Sequence, residues 1–362
     1  MFRAEVIGSL LRPSYLKEAR AAFERGELAA SDFKRVEDRA VDQVIAVQEG
    51  AGVDVVTDGE MRRFLFMGPI TEVVDGITPV EHGNAMPWNS PEGELDWVFP
   101  AAVTSKLTKR RSMVTEEYSY ARARARRPLK VTVPSPLVLY GLWNPRYSTA
   151  AYSDAFEMFA DAAAIGRSEI LELVSLGCEY IQVDAPELAT LVDPRIRDWT
   201  ESIGMPAERM LTEGIELING MVEGISGVRL GIHLCRGNNA GMWMASGGYD
   251  SIAGALFERA SAFDAFFLEY DDARSGSFEP LAGAPDDKQI VLGLVSSKGP
   301  ELESPAELNA RIEDASRHFP REQLGLSTQC GFASIAAGNP LDEVAQERKL
   351  RLVADVAHAA WG

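Results

Sequence analysis

Cysteine and histidine are scarce in this chain: 362 residues hold three of the first and four of the second. Cys178, Cys235 and Cys330 are too few for a disulfide framework in a chain of this length. The opening MFRAEVIGSLLRP has no basic end, apolar run and small-residue cleavage site, so no secretory signal is expected and the protein is read as cytoplasmic. No stretch approaches the eighteen or so consecutive apolar residues that a membrane-spanning helix needs. An excess of positive charge is missing as well. Lys and Arg number 36 against 54 Asp and Glu, a formal net charge of −18. That balance argues against a nucleic-acid partner or an anionic membrane surface, since both are bound through clustered cations. The basic stretches Lys109–Arg111 and Arg122–Arg127 are read as a solvated helix with counter-charges nearby, a contact to an anionic tail being the other reading. No G-x-G-x-x-G follows the first strand, and nothing resembles a P-loop, a Ser-His-Asp arrangement or an H-E-x-x-H helix.

What is present is ordinary globular composition, 46% hydrophobic and 25% charged, with a repeating order of elements. Eight short apolar, β-branched runs recur: 4–9, 53–60, 129–136, 180–187, 228–236, 265–272, 290–298 and 324–331. Most break into polar or Gly/Pro residues at their ends, as strands buried on both faces do. Amphipathic segments 153–176, 206–224, 251–262, 304–318 and 341–361 lie between them. Alternation of this kind predicts a parallel α/β architecture, and eight repeats predict a (β/α)8 TIM barrel rather than a doubly wound open sheet. The whole chain, 1–362, is read as one catalytic domain. Residues 76–127 are too long for one βα unit, and are expected as an insertion after strand two that covers the active face.

In such a barrel chemistry sits where the strands end. The fifth run ends in GIHLCRG, the sixth in FFLEYDD and the eighth in LSTQCG. His233 and Cys235 are two apart and so share a face of their strand, and Glu269 and Cys330 are expected at the same rim. Two thiolates, an imidazole and a carboxylate suit tetrahedral Zn²⁺. Cys178 precedes the fourth strand at the opposite end and is read as packing. Glu60 and Asp184, ending the second and fourth runs, would suit an ammonium group, although capping of the following helix explains such acids equally well. Capping is the simpler reading of Ser9 taken alone.

IGS (Ile7–Ser9), DGE (Asp58–Glu60), QVDAPE (Gln182–Glu187), H-x-C-x-x-N (His233 to Asn238), the lone Glu269 and QCG (Gln329–Gly331) together resemble the catalytic half of cobalamin-independent methionine synthase. The motifs keep that family's order and spacing over nearly the whole chain, and VLGLVSSKGPELES is similar to the short, single-barrel members. The resemblance implies a catalytic zinc on His233, Cys235, Glu269 and Cys330, with Glu269 leaving as substrate sulfur arrives. It implies L-homocysteine as methyl acceptor, its carboxylate meeting Ile7–Ser9 and its ammonium meeting Glu60 and Asp184, with Asn238 in the same substrate site. The donor would be 5-methyltetrahydrofolate, in polyglutamate form, or another methyl carrier. Lys298 stands where the long form has a histidine that assists proton delivery, and the long form's N-terminal barrel has no counterpart. Zinc-dependent epoxyalkane:coenzyme M transferases belong to the same superfamily, so thiol alkylation or C–S cleavage is the alternative enzyme, and a zinc-containing binding protein the non-catalytic one. A homo-oligomer is compatible with all three.

Overall fold

Seven of the eight expected runs form one parallel sheet in the computed structural model, which describes residues 1–362. In chain order the strands of the molecule are β1 (Ala4–Glu5), β2 (Val74–Pro79), β3 (Ala85–Ser90), β4 (Gly93–Val98), β5 (Ala101–Lys109), β6 (Val131–Pro134), β7 (Tyr180–Asp184), β8 (Arg229–Leu234), β9 (Ala265–Glu269), β10 (Gln289–Val295) and β11 (Leu324–Thr328). The large sheet runs β1-β11-β10-β9-β8-β7-β6 with every pairing parallel. Every residue of β7, β9, β10 and β11 is buried, as befits largely apolar strands covered on both faces.

The second expected strand, 53–60, is reduced to a single parallel bridge between Val56 and Leu129. It nevertheless joins the two edges of the sheet. Asp54 N donates to Ala4 O at 2.8 Å on one side, and on the other Val56 N donates to Pro128 O at 3.0 Å while Lys130 N donates to Val56 O at 2.9 Å. The ladder stops there because Gln48, from the helix Ala30–Ala51, takes both backbone groups of Thr57: its amide donates to Thr57 O at 2.8 Å and its carbonyl accepts from Thr57 N at 2.9 Å. Gly59 and Glu60 then turn the chain with φ of 68° and 56°. A glutamate in the left-handed region is uncommon and marks a position over-determined by its surroundings.

The helices follow the amphipathic segments, with ends set by caps. Ala155–Ser175 starts where Asp154 accepts from Phe156 N and Glu157 N, both at 3.0 Å. Pro305–Ala315 opens on a capping box between Ser304 and Glu307, and Glu343–Trp361 on Asp342. The segment 206–224 is helical from Ala207 to Val222, with a π-helical turn at Met210–Gly214 inside it. Between Gly76 and Arg127 the chain forms two antiparallel pairs, β2 with β5 and β3 with β4, and then the helix Val114–Arg122. The basic residues there carry counter-charges: Arg124 lies 2.8 Å from Asp42, and Arg126 2.8 Å from Glu49.

The two ends of the large sheet differ in kind. At the strand starts Lys130 pairs with Glu5 at 3.0 Å, and the Tyr180 hydroxyl donates to the same carboxylate, all wholly or almost wholly buried. Cys178, also at this end, donates only to Tyr180 O and serves packing. The strand ends carry the chemistry.

Candidate metal centre

His233 lies within β8, next to its last residue, and Cys235 just beyond that strand; Cys330 follows β11. The sheet brings these three together although nearly a hundred residues separate Cys235 from Cys330. The ligand atoms of His233, Cys235 and Cys330 all lie within 4.8 Å of one another, and all three residues are buried. Neither ring nitrogen of His233 has a hydrogen-bond partner. Burying an imidazole with both nitrogens unpaired is costly unless something fills that demand. The close Cys235 thiol, with the charges of His233 and Lys298 adding to it, holds the Cys330 thiol well below its ordinary value, while the same closeness together with burial pushes Cys235 well up.

Glu269, which closes β9, stands apart from this cluster. Its Oε2 accepts from Arg236 N at 2.6 Å, and its Oε1 lies 3.5 Å from Lys298 Nζ, with no hydrogen bond of its own. Burial works against ionisation of Glu269, but the Lys298 and Arg236 charges outweigh it and hold the carboxyl below its usual range. Lys298 is therefore a counter-ion to Glu269. Tyr249, which strand-end reasoning did not single out, ties the two strands together: its hydroxyl donates to Leu234 O and accepts from Glu269 N, both at 2.9 Å.

The remaining expected residues share one cavity with the cluster. It is lined by Ile7, Ser9, Glu60, Asp184, Asn238 and the three cluster residues, among others. Thr132 donates to Glu60 Oε1 at 2.8 Å and Arg63 lies 3.4 Å from the same oxygen, while Oε2 is buried and unpartnered. Asp184 accepts from Gln182 Nε2 at 2.7 Å, and that amide also donates to Ile7 O at 3.0 Å. Gln182 thus fixes the first strand end against the fourth. The sequence carried that signal, because Gln182 is two residues from Asp184 and shares its face. Burial pushes Asp184 up to about 7 and raises Glu60. Neither acid caps the helix after it: Asp184 is not the residue preceding Pro186–Thr190, and Glu60 bonds to Thr132 across the sheet.

Asn238 acts on the frame of the site. Its amide donates to Gly331 O at 2.7 Å and to Ser334 Oγ at 3.1 Å, leaving Oδ1 buried and unpartnered. Ser297 donates to Gly331 O at 2.9 Å, and Thr328 to Cys330 O at 2.8 Å. At Gly331 a Cβ atom would come within 2.0 Å of Ser9 Oγ, and at Gly8 one would meet Glu60 Oε1 at 2.8 Å. The glycines of IGS and QCG are there because backbones and side chains of different strands pass this closely.

The donor set fits a zinc ion. An ion bonding nitrogen at ~2.0 Å and sulfur at ~2.3 Å draws its donors to within about 4 Å of one another, close to the spacing found, and its charge would satisfy the unpaired imidazole. The sequence profile of the cobalamin-independent synthase catalytic domain matches residues 2–358. The chain belongs to this family. It is 35% identical to the uncharacterized protein YxjH of Bacillus subtilis (strain 168), over 99% of this chain and 95% of that one. It is 26% identical to the methionine synthase of Saccharolobus solfataricus, over 91% of this chain and 88% of the other. A crystal structure of a candidate vitamin-B12-independent methionine synthase from Listeria monocytogenes superposes with a TM-score of 0.73 at 27% identity, covering 100% of this chain and 98% of that one. The family accounts for the curled parallel α/β sheet. No helix of the chain is long and apolar enough to cross a membrane.

Proposed function

We propose that this protein transfers a methyl group to the thiol of L-homocysteine, giving methionine, at a zinc site held by His233, Cys235 and Cys330 with Glu269 as the fourth residue. The observation that carries this reading is the pairing, in one cavity, of a buried His/Cys/Cys cluster whose imidazole is unpartnered with two buried acids, Glu60 and Asp184. Zinc bound there supplies the positive charge that turns an incoming thiol, ordinarily near pKa 8.5, into a nucleophilic thiolate at neutral pH.

The chain's own residues bind and orient. Asp184 and Glu60 face the substrate ammonium, and Gln182 and Thr132 hold those carboxylates in place. The Ile7–Ser9 segment meets the substrate carboxylate. Asn238 keeps the Cys330 loop in register. Lys298 holds Glu269 as its counter-ion rather than touching substrate, so Glu269 would be the residue to give way when a substrate sulfur arrives at a bound zinc. Structural zinc sites are closed, whereas catalytic ones keep a place open. We read the curled sheet as a (β/α)8 barrel whose eighth member is the 54–56 bridge, the chain as one domain working in the cytoplasm, and the 76–127 segment as the cover of its active face, supported by Met86, Trp88 and Phe99 in the cavity wall. A thiol bearing a sulfonate in place of an amino acid would meet two carboxylates, which disfavours the coenzyme M alternative.

Purified protein should contain zinc near one per chain, and Cys235→Ser or Cys330→Ser should lose it together with methionine formation. A folded wild-type protein that forms methionine without metal would overturn the reading.

A further inference from the structure

The cavity above the metal cluster has a second half that homocysteine binding does not explain. Its wall is aromatic and sulfur-rich: Phe66, Trp88, Phe99 and Tyr140, with Met67 and Met86. None of the 23 lining residues is Lys or Arg, while Glu60 and Asp184 are among them. A donor carrying a tail of carboxylates would enter a space with two acids and no cation. A cation would meet the opposite: aromatic faces attract it, most strongly where water is excluded, and methionine sulfur is soft and adaptable.

We propose that the methyl donor is a small methyl-onium cation, a sulfonium or quaternary ammonium compound, bound against Phe66, Trp88, Phe99 and Tyr140. This rests on the homocysteine reading and names the second substrate of the same site. Trp88 adds an independent observation. It is 8% exposed, and its indole N–H is buried without a partner. A buried donor of this kind calls for one acceptor, which the single carboxylate of a zwitterionic onium acid supplies without the string of further carboxylates that a polyglutamate tail would bring.

Leaving-group chemistry agrees. A departing folate amine must be protonated, yet the two acids of the cavity, Glu60 and Asp184, are taken up by the homocysteine ammonium and the aromatic wall offers none. The Tyr140 hydroxyl contacts Met244 Sδ at 3.3 Å, and burial drives its pKa far up. Lys298 lies outside the cavity lining, against Glu269. An onium donor needs no proton. The thiolate lone pair forms the new S–CH3 bond as the C–S⁺ or C–N⁺ bond breaks. That bonding pair stays on the departing atom, which leaves as a neutral thioether or tertiary amine. The thiol proton goes to solvent, and no oxidant or reductant is required.

The test uses zinc-loaded protein with homocysteine and four donors supplied separately: a dimethylsulfonium acid, glycine betaine, 5-methyltetrahydrofolate and its triglutamate. Methionine is followed by mass spectrometry. Turnover with one of the onium compounds at least a hundredfold above both folates supports the inference, and the responding arm tells sulfonium from ammonium. Trp88→Leu should then raise the donor KM at least tenfold and Trp88→Phe should restore much of it, with homocysteine binding unchanged in the cobalt-substituted protein's sulfur charge-transfer band. Methionine from a folate and from neither onium compound overturns the inference. So does homocysteine binding without transfer from either onium compound. Absence of homocysteine binding would instead strike at the underlying function.

Discussion

Glu187 shows what a single buried acid does to this molecule. It is wholly buried, Ser135 donates to its Oε1, its Oε2 has no partner, and burial pushes its pKa up to about 8. In the unfolded chain it ionises near its ordinary value, so its contribution to stability is complete below about pH 4.5 and is lost as pH rises toward 8. Glu187→Gln should therefore melt above the wild type at pH 8, by on the order of 2–4 kcal/mol of stability, and show little of that advantage at pH 5. Equal differences at both pH values would contradict the assignment. Asp184 works in the same sense on binding. Its pKa of about 7 means that kcat/KM for homocysteine should fall as pH drops through 7. Asp184→Asn should flatten that limb and raise KM at least tenfold. At this scale the sequence was legible wherever alternation applied. His233 with Cys235, and Asp184 with Gln182, are two-residue pairs at strand ends. The standing-off of Glu269 was not legible, because it depends on Lys298 and Arg236 arriving from other segments.

Among the elements, loops that pass one another closely set the site. Gly331 sits against Ser9, where a methyl group would overlap Oγ and press on the Ser9 backbone at 3.0 Å. Gly331→Ala should cost about 1–3 kcal/mol of stability and weaken zinc retention more than a surface substitution does. Unaltered melting and metal content would show that the two loops part without consequence. The pair β3 and β4 is pinned over the cavity by Asn89, whose side chain donates to Trp243 O and Met244 O. Asn89→Ala should speed proteolytic cleavage between residues 80 and 100 and raise the KM for the second substrate, leaving zinc content intact. Strand positions could be read from apolar runs, and helix starts from Asp154, Ser304 and Asp342. The second strand misled for a local reason: a glutamine on a helix satisfies Thr57 more completely than a neighbouring strand would. The antiparallel pairs within 76–127 also escaped, since short strands of mixed burial lack a clean period.

Over the whole molecule, the parallel sheet gathers ligands that sequence distance keeps apart, and it separates a structural end from a reactive one. The ion pair of Glu5 with Lys130 occupies the strand starts, while both acids and the His/Cys cluster occupy the strand ends. This polarity followed from the repeated strand–helix order, and the six motifs in register carried the family. The second substrate did not follow from the motifs, because its walls, Trp88 of β3 and Tyr140 of the 136–142 turn among them, come from segments outside those motifs whose placing depends on packing. The central claim is that the cluster holds zinc with room for one more sulfur. X-ray absorption at the zinc edge, recorded before and after addition of homocysteine, tests it most directly. The account predicts a first shell of two sulfur and two lighter ligands that gains a third sulfur on addition. A sulfur count that stays the same would contradict it.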